Sequence, residues 1–389
     1  MRTVSIMCAA LLLLVSTAPA GAQGTLSTQG FGYPAGQLST RSLGAGGALT
    51  EIDPLSVTNP AALASLGSSA LYFQAEPEYR TLRVAGASER STIARFPLVA
   101  AGVPLTSTLF AGLSASNLLD RTFETVTRTT QSVGGSAVSS TNSFKSDGAI
   151  GDVRLALAWA PRSWLHIGLA GHAISGDNRL NSTQRFDDST RYARIVDTST
   201  VTYVGNALSG GVELYAGRSA VVAASYRRGG PISVKHGDTT VGTARVPDRV
   251  AVSAAYIGIR GTTIAVRTAR EDWTDLAGLG SAGLPIAEGW DTSVGADVLG
   301  PRFAGRSVQF RAGARQRTLP FSVRPILSGG GFGTSASVKE TSYSLGAGML
   351  LARGRAALDV AGIRASRSSA ATSTRESAWT LSMGVTVRP

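Results

Sequence analysis

The sequence predicts an all-β chain: a transmembrane antiparallel β-barrel of about 14 strands with a small N-terminal plug. Three observations carry that reading. Apolar residues alternate with polar or small ones in segment after segment, the period of a strand with two unlike faces. Glycine makes up 46 of 389 residues, only 16% are charged, and mean hydropathy is +0.10, yet no stretch after the first 22 residues is long and apolar enough for a spanning helix. A block of small residues, Arg41 to Leu63, comes before the first strand-like segment.

Taken in order, residues 1–22 read as a signal peptide. A short basic start at Arg2 leads into the apolar run Ile6 to Val15, and Ala18, Ala20 and Ala22 offer a small-residue cleavage site after Ala22. The run is too short to cross a bilayer. Cys8, the only cysteine, falls inside it, so the exported chain is expected to carry no disulfide and no cysteine metal site. Residues 23–68 read as the plug. RSLGAGGALTEIDPLSVTNPAAL is almost free of charge and rich in residues small enough to pack closely against a surrounding wall.

Residues 69–389 read as the barrel. In Asp152 to Ala160, Val153, Leu155, Leu157 and Trp159 share one face, while Arg154, Ala156 and Ala158 share the other. Leu165–Ala170, Val308–Arg315 and the final Trp379–Arg388 repeat the pattern, and about eleven further segments resemble them. Such alternation suits an apolar outside and a polar lumen. Ala160–Ser163 and Ala216–Arg218 are expected as short periplasmic turns. Thr125–Ser146, Gly176–Thr200, Gly229–Pro247 and Gly278–Glu288 are expected as longer outer loops. Trp159 and Trp164 flank one short turn, and Trp273 and Trp290 flank one long loop, as in aromatic belts.

The plug block resembles the opening of the outer-membrane long-chain fatty acid and hydrocarbon transporter family (FadL-type). There a glycine-rich segment, an acidic residue and an Asn-Pro-Ala tripeptide form a hatch in the lumen. Gly44, Gly46, Gly47, Asp53 and Asn59-Pro60-Ala61 match that pattern. Val246–Arg249, Asp272–Asp275, Trp290-Asp291, Gln309–Gly313 and Leu319–Phe321 continue the likeness in order, whereas residues 120–245 match nothing in particular. The resemblance implies an outer-membrane location and uptake of a hydrophobic small molecule or fatty acid past a movable plug, with lateral release through the wall into the bilayer. Related plugged barrels also serve as scaffold or shuttle components of protein secretion, which is the alternative reading. A general water-filled porin is disfavoured by the plug.

Several residues are candidates within that frame. Asn59 can bond its own backbone and hold the turn that Pro60 presets, fixing the hatch or simply stabilising a buried turn. Pro97 and Pro104 bracket an early strand and are candidates for a break in the wall, or for plain strand ends at the rim. Arg267, Arg311, Arg315 and Arg317 lie on polar phases and would suit a carboxylate head group. They suit equally a ladder with lumen acids such as Glu271, Asp272 and Asp297; arginines near the rim would meet outer-membrane lipid and lipopolysaccharide phosphates. The formal charge of +12 is dispersed over many strands of an exported chain, so nucleic acid is not expected as a partner. His166 and His172 share a strand phase but lie too far apart to chelate one metal together, and no G-x-S-x-G elbow occurs. Neither enzyme activity, metal nor cofactor is expected, and the barrel is expected to be monomeric.

Overall fold

The computed structural model describes residues 26–84, 87–133, 136–279, 285–303, 306–325 and 333–389. The expected signal peptide, with Cys8, lies outside these residues, and so does most of the glycine-rich turn Gly329–Gly333.

Period-two alternation becomes a closed antiparallel wall. In chain order the strands are β1 (Ala70–Val84), β2 (Ala87–Arg95), β3 (Leu98–Pro104), β4 (Leu109–Asp120), β5 (Phe123–Val133) and β6 (Ser136–Arg162). There follow β7 (Leu165–Phe186), β8 (Ile195–Ala216), β9 (Ala220–His236), β10 (Thr239–Arg245), β11 (Asp248–Tyr256) and β12 (Thr262–Asp272). The last five are β13 (Gly289–Phe303), β14 (Arg306–Val323), β15 (Ala336–Leu351), β16 (Ala356–Ser369) and β17 (Arg375–Val387). Fourteen form the ring, which β1 and β17 close from Leu71↔Val387 to Arg83↔Arg375. The other three, β2, β5 and β10, are short outer additions paired to β1, β6 and β9.

The two faces follow the predicted phases. Val153, Leu155, Leu157 and Trp159 are exposed, whereas Arg154, Ala156 and Ala158 are buried inside. On β17, Trp379, Leu381, Met383, Val385 and Val387 point out and Ser382 and Thr386 point in. An exposed apolar face on strand after strand is stable only against hydrocarbon, so the belt is the membrane-facing surface.

Two expectations are corrected. The stretches Thr125–Ser146, Gly176–Thr200 and Gly229–Pro247 are mostly prolonged strand rather than loop, falling in β5 and β6, in β7 and β8 around a connection at 187–194, and in β9 and β10, where β6, β7 and β8 run 27, 22 and 22 residues. Their Thr- and Ser-rich sequences favour strand, and beyond the membrane they need no apolar face. Trp273 is not in the belt. A short helical turn, Trp273–Leu279, folds inward and buries its ring edge-on to Phe31. Around it, Leu26, Phe31, Leu119, Ile150, Ile174, Ile232, Leu276 and Phe321 close the outer half of the lumen.

Pro77 also misleads. Alternation falters there, suggesting two segments, Ser69–Gln74 and Tyr79–Gly86, but β1 runs straight through. Proline cannot donate to a ladder, and the β1–β17 pairing accordingly skips from Ala75↔Met383 to Glu78↔Thr380.

Candidate functional site: a plugged lumen beside a seam in the wall

The plug enters through one helical turn, α1 (Thr40–Gly44), capped by Ser39, whose side chain accepts from the Ser42 N–H at 3.1 Å. Asp53 braces this cap, accepting from the hydroxyls of Ser39 and, at 2.8 Å, Ser56. Gly46 and Gly47 then take φ of +67° and +85°, the left-handed region that glycine occupies without strain. Gly44 lies against Gly346. Further on, Asn59 accepts from the Ala61 N–H at 3.0 Å and donates to the Glu51 carbonyl at 2.7 Å, starting the buried turn Pro60–Ser65. The wall makes room with glycine: a Cβ on Gly313 or Gly295 would overlap the Ala45 backbone, and one on Gly211 the Asn59 amide.

One plug residue that the sequence reading passed over is central. Glu51 is fully buried, accepting from Arg249, from Arg267 at 3.1 Å and from Ser225 at 2.7 Å, each on a different wall strand. Burial works to raise its pKa, but the attraction of Arg249 and Arg267 outweighs this and holds the carboxyl at about 2 instead of 4.5. The plug is thereby pinned to β9, β11 and β12 by a compensated buried charge.

The wall has a discontinuity at Phe96-Pro97. β1 pairs with β3 from Ala70↔Gly102 to Phe73↔Val99 and with β2 from Glu76↔Arg95 upward, with a one-residue shift between them. β4 pairs only with β3 on this side, no higher than Leu98↔Ser116. Among the described residues, β2 has no ladder with β4, so a seam opens above Pro97. Pro104, in contrast, ends β3 opposite Phe110. The Phe96 ring is 76% exposed on the outer surface beside the seam.

What fills the seam comes from the plug. Tyr33 exchanges both backbone hydrogen bonds with Asp120 of β4, at 2.7 and 2.9 Å. Gly36 lies against Pro97, where a Cβ would overlap the ring. The Tyr33 ring has the guanidinium carbons of Arg80, Arg95, Arg317 and Arg367 within 4.7–5.5 Å of its centroid. Arg95 also crosses the seam to Asp120 at 2.5 Å while pairing with Glu78 on β1.

Behind Tyr33 lies a cavity of about 150 Å³, lined by Leu38, Leu43, Leu118, Trp273, Leu319 and paired charges. A second, of about 370 Å³, lies on the short-turn side of the plug, by Leu49, Ile52, Tyr215, Met349 and Arg388. The four arginines expected at a head group divide between them. Arg267, Arg315 and Arg317 line the first, and Arg311 lines the second. Each is already paired: Arg267 with Glu51 and Asp291, Arg315 with Asp291, Arg317 with Glu340, and Arg311 with Asp297 and Asp359.

The histidines also find acids, from other strands. His172 sits 2.8 Å from Asp152 and 2.8 Å from the Ser209 hydroxyl, and His166 lies 3.0 Å from Glu213. All three members of the Asp152–His172–Ser209 set are buried, and Gln37 of the plug donates to the second Asp152 oxygen at 3.0 Å. The set ties plug to wall. Among the described residues, no cluster of three or more metal-ligating side chains occurs.

No protein-family model and no curated protein matches the sequence. Solved structures do. A Pseudomonas aeruginosa FadL homologue superposes at a TM-score of 0.61 with 11% identity, covering 92% of this chain and 99% of that one. The Pseudomonas putida toluene transporter TodX gives 0.57 at 12%, covering 93% and 98%. The CymD monoaromatic hydrocarbon channel gives 0.55 at 12%, covering 90% and 97%. The chain has the FadL-type fold. At such identities the likeness speaks for the plugged 14-strand barrel, and the residues of the seam must speak for themselves.

Proposed function

We propose that this FadL-type barrel is an outer-membrane transporter of small hydrophobic molecules, releasing them sideways into the bilayer through the seam above Pro97. The observation that carries the proposal is the coincidence of three features at one place: an interrupted wall, a lumen cavity behind it, and a plug segment rather than a wall strand as the seal. An apolar molecule released there enters lipid without crossing water. TodX and CymD, which share the fold, are a toluene transporter and a monoaromatic hydrocarbon channel.

Size and charge narrow the ligand. A cavity of about 150 Å³ accommodates a single benzene-sized ring, not an extended fatty acyl chain. Because Arg267, Arg315 and Arg317 are each matched by an acid, a carboxylate would have to displace a buried ion pair, which costs more than seating a neutral ring. The ligand is therefore a small uncharged hydrocarbon in preference to a fatty acid, and Gly44 to Ala61 form the hatch that it displaces.

A second reading has one observation in its favour. The long, ordered outer strands β5 to β8 and the packed outer lumen suit a barrel that holds a protein partner in secretion. Uptake separates the two. In cells lacking their own transporter, radiolabelled toluene should enter saturably through this protein and faster than oleate. Pro97→Ala, which lets β2 and β4 pair, should lower the rate about threefold. No uptake in cells where heat-modifiable migration shows a folded, inserted barrel would sink the transporter and favour the secretion role.

A further inference from the structure

The five strands β2, β1, β17, β16 and β15 separate their charges completely. Their six acids, Glu76, Glu78, Glu89, Glu340, Asp359 and Glu376, all fall on the inward phase, as do Arg80, Arg95 and Arg367. The other five cations, Arg83, Arg90, Lys339, Arg364 and Arg375, all fall on the outward phase and are exposed. None of these five makes an ion pair among the described residues.

Register sorts the outward side chains into rows. Tyr79, Trp379, Arg364 and Tyr343 are successive cross-strand partners, with the Arg364 guanidinium 5.2 Å over the Trp379 ring. Two residues further out stand Thr81, Ser377, Ser366 and Thr341, with Arg90 opposite Thr81. Two residues beyond these come Arg83, Arg375, Ser368 and Lys339. Aromatic, hydroxyl and cationic rows thus succeed one another away from the apolar belt. At a rise of about 3.4 Å per residue the cations stand about 14 Å along the strand above the aromatics. With the usual barrel tilt that is about 10 Å along the membrane normal, the level of lipid head groups.

Arg83 and Arg375 face each other directly across the β1–β17 ladder. Like charges at opposed positions destabilise a sheet. A bound anion would reverse the sign of that contact. Elsewhere on the outer rim some cations have acids, as Arg270 has Glu288 and Arg245 has Asp275, while among the described residues Arg179, Arg185 and Arg228 are exposed with no ion pair. What distinguishes this sector is register: its unpaired cations stand in one cross-strand row, two of them directly opposed, beside the aromatic row.

We propose that this surface binds the phosphate groups of the phosphorylated glycolipid in the outer leaflet. Arg83, Arg375, Lys339 and Arg90 meet the phosphates, the hydroxyl row meets the sugar and ester oxygens, and the aromatic row meets the acyl chains. Guanidinium groups suit phosphate through bidentate hydrogen bonds. The sector includes β2, the strand bordering the seam, so a bound glycolipid would brace that edge from outside. The inference rests on the outer-membrane placement proposed above, but not on which solute is carried.

The test uses the full barrel in detergent micelles, with heat-modifiable migration as the check on folding and native mass spectrometry to count bound lipid A. Diphosphorylated lipid A should bind and the dephosphorylated form should not. Each cation removed should weaken binding about fivefold, so the triple variant Arg83→Gln, Arg375→Gln, Lys339→Gln should lose it. Arg375→Lys should retain most of it, and Arg228→Gln, an exposed arginine on β9, should retain all of it. Binding should also weaken steeply as salt is raised. Equal binding by the folded triple variant, by the dephosphorylated lipid or by phosphatidylglycerol would overturn the proposal. Loss of glycolipid binding with hydrocarbon uptake intact would leave the transport reading standing.

Discussion

Two parts of the wall treat the same problem in opposite ways. From β6 to β8 the ladders are long: β7 and β8 pair without a shift from Leu165↔Leu214 to Gln184↔Ile195. Between β3 and β4 the ladder covers only Leu98↔Ser116 to Pro104↔Phe110, and above it the edge of β4 is satisfied by Tyr33 of the plug. Every backbone polar group in hydrocarbon must find a partner, so both regions are sealed. They differ in what must move to break the seal. Opening β7–β8 means tearing a wall strand from its neighbour; opening the seam means moving one plug segment and one ion pair, Arg95–Asp120.

The largest effect should come from locking that segment. Tyr33 and Asp120 exchange both backbone hydrogen bonds, a pairing with Cα atoms about 5.5 Å apart, within disulfide range. In Tyr33→Cys, Asp120→Cys, oxidation should lower hydrocarbon uptake about tenfold or more, as expected when a gate cannot open, and reduction should restore it. A matching pair on the β7–β8 ladder, Ser175→Cys with Val204→Cys, should leave uptake unchanged. Equal uptake by oxidised and reduced Tyr33→Cys, Asp120→Cys would remove the seam from the route.

Next comes the plug's own anchor. Glu51→Gln leaves Arg249 and Arg267 facing a neutral amide, with only Glu271 and Asp291 still opposite them, and losing one acid from such a buried network costs up to about 3 kcal/mol. The plug should then become accessible to protease from the short-turn side while the barrel still migrates as folded. Acid should act the same way. With a docked pKa of about 2 against 4.5 for the free carboxyl, Glu51 favours docking fully above pH 4.5, and the contribution disappears as pH falls toward 2. The shift corresponds to about 3 kcal/mol. Glu51→Gln should abolish that pH dependence; a plug released equally by acid in both proteins would assign the anchor to other groups.

The same contrast explains what was legible in the sequence. Alternation is a property of neighbouring residues, so the strands, their inward phases and the barrel could be read from local pattern. The inward placement of Arg267, Arg311, Arg315 and Arg317 followed from phase alone. Their acid partners did not, because Glu51 meets Arg249 only after the plug has seated and the wall strands up to β11 have found register. Tyr33 left no periodic signal, since a segment that borrows the edge of β4 for one bridge need not alternate. Pro77 and Pro97 look alike in sequence. Pro77 lies within a strand that β2 supports on its other side, whereas Pro97 lies where β3 passes into β2 and pairing with β4 ends.

The smallest effect separates a hatch from a turn. Asn59 caps the turn at Pro60 and also holds the Glu51 carbonyl. Loss of such a cap costs about 1 kcal/mol, and Gly211 opposite it has no side chain to fill the space left by alanine. Asn59→Ala should therefore loosen the plug by less than Glu51→Gln, visible as a modest rise in protease cleavage near Pro60. If Asn59 also sets the position from which the hatch moves, saturable uptake should change in Asn59→Ala even where the amount of docked plug does not. A variant whose uptake merely tracks the docked fraction would make the Asn-Pro-Ala segment a turn that supports Glu51, with the gating left to Tyr33.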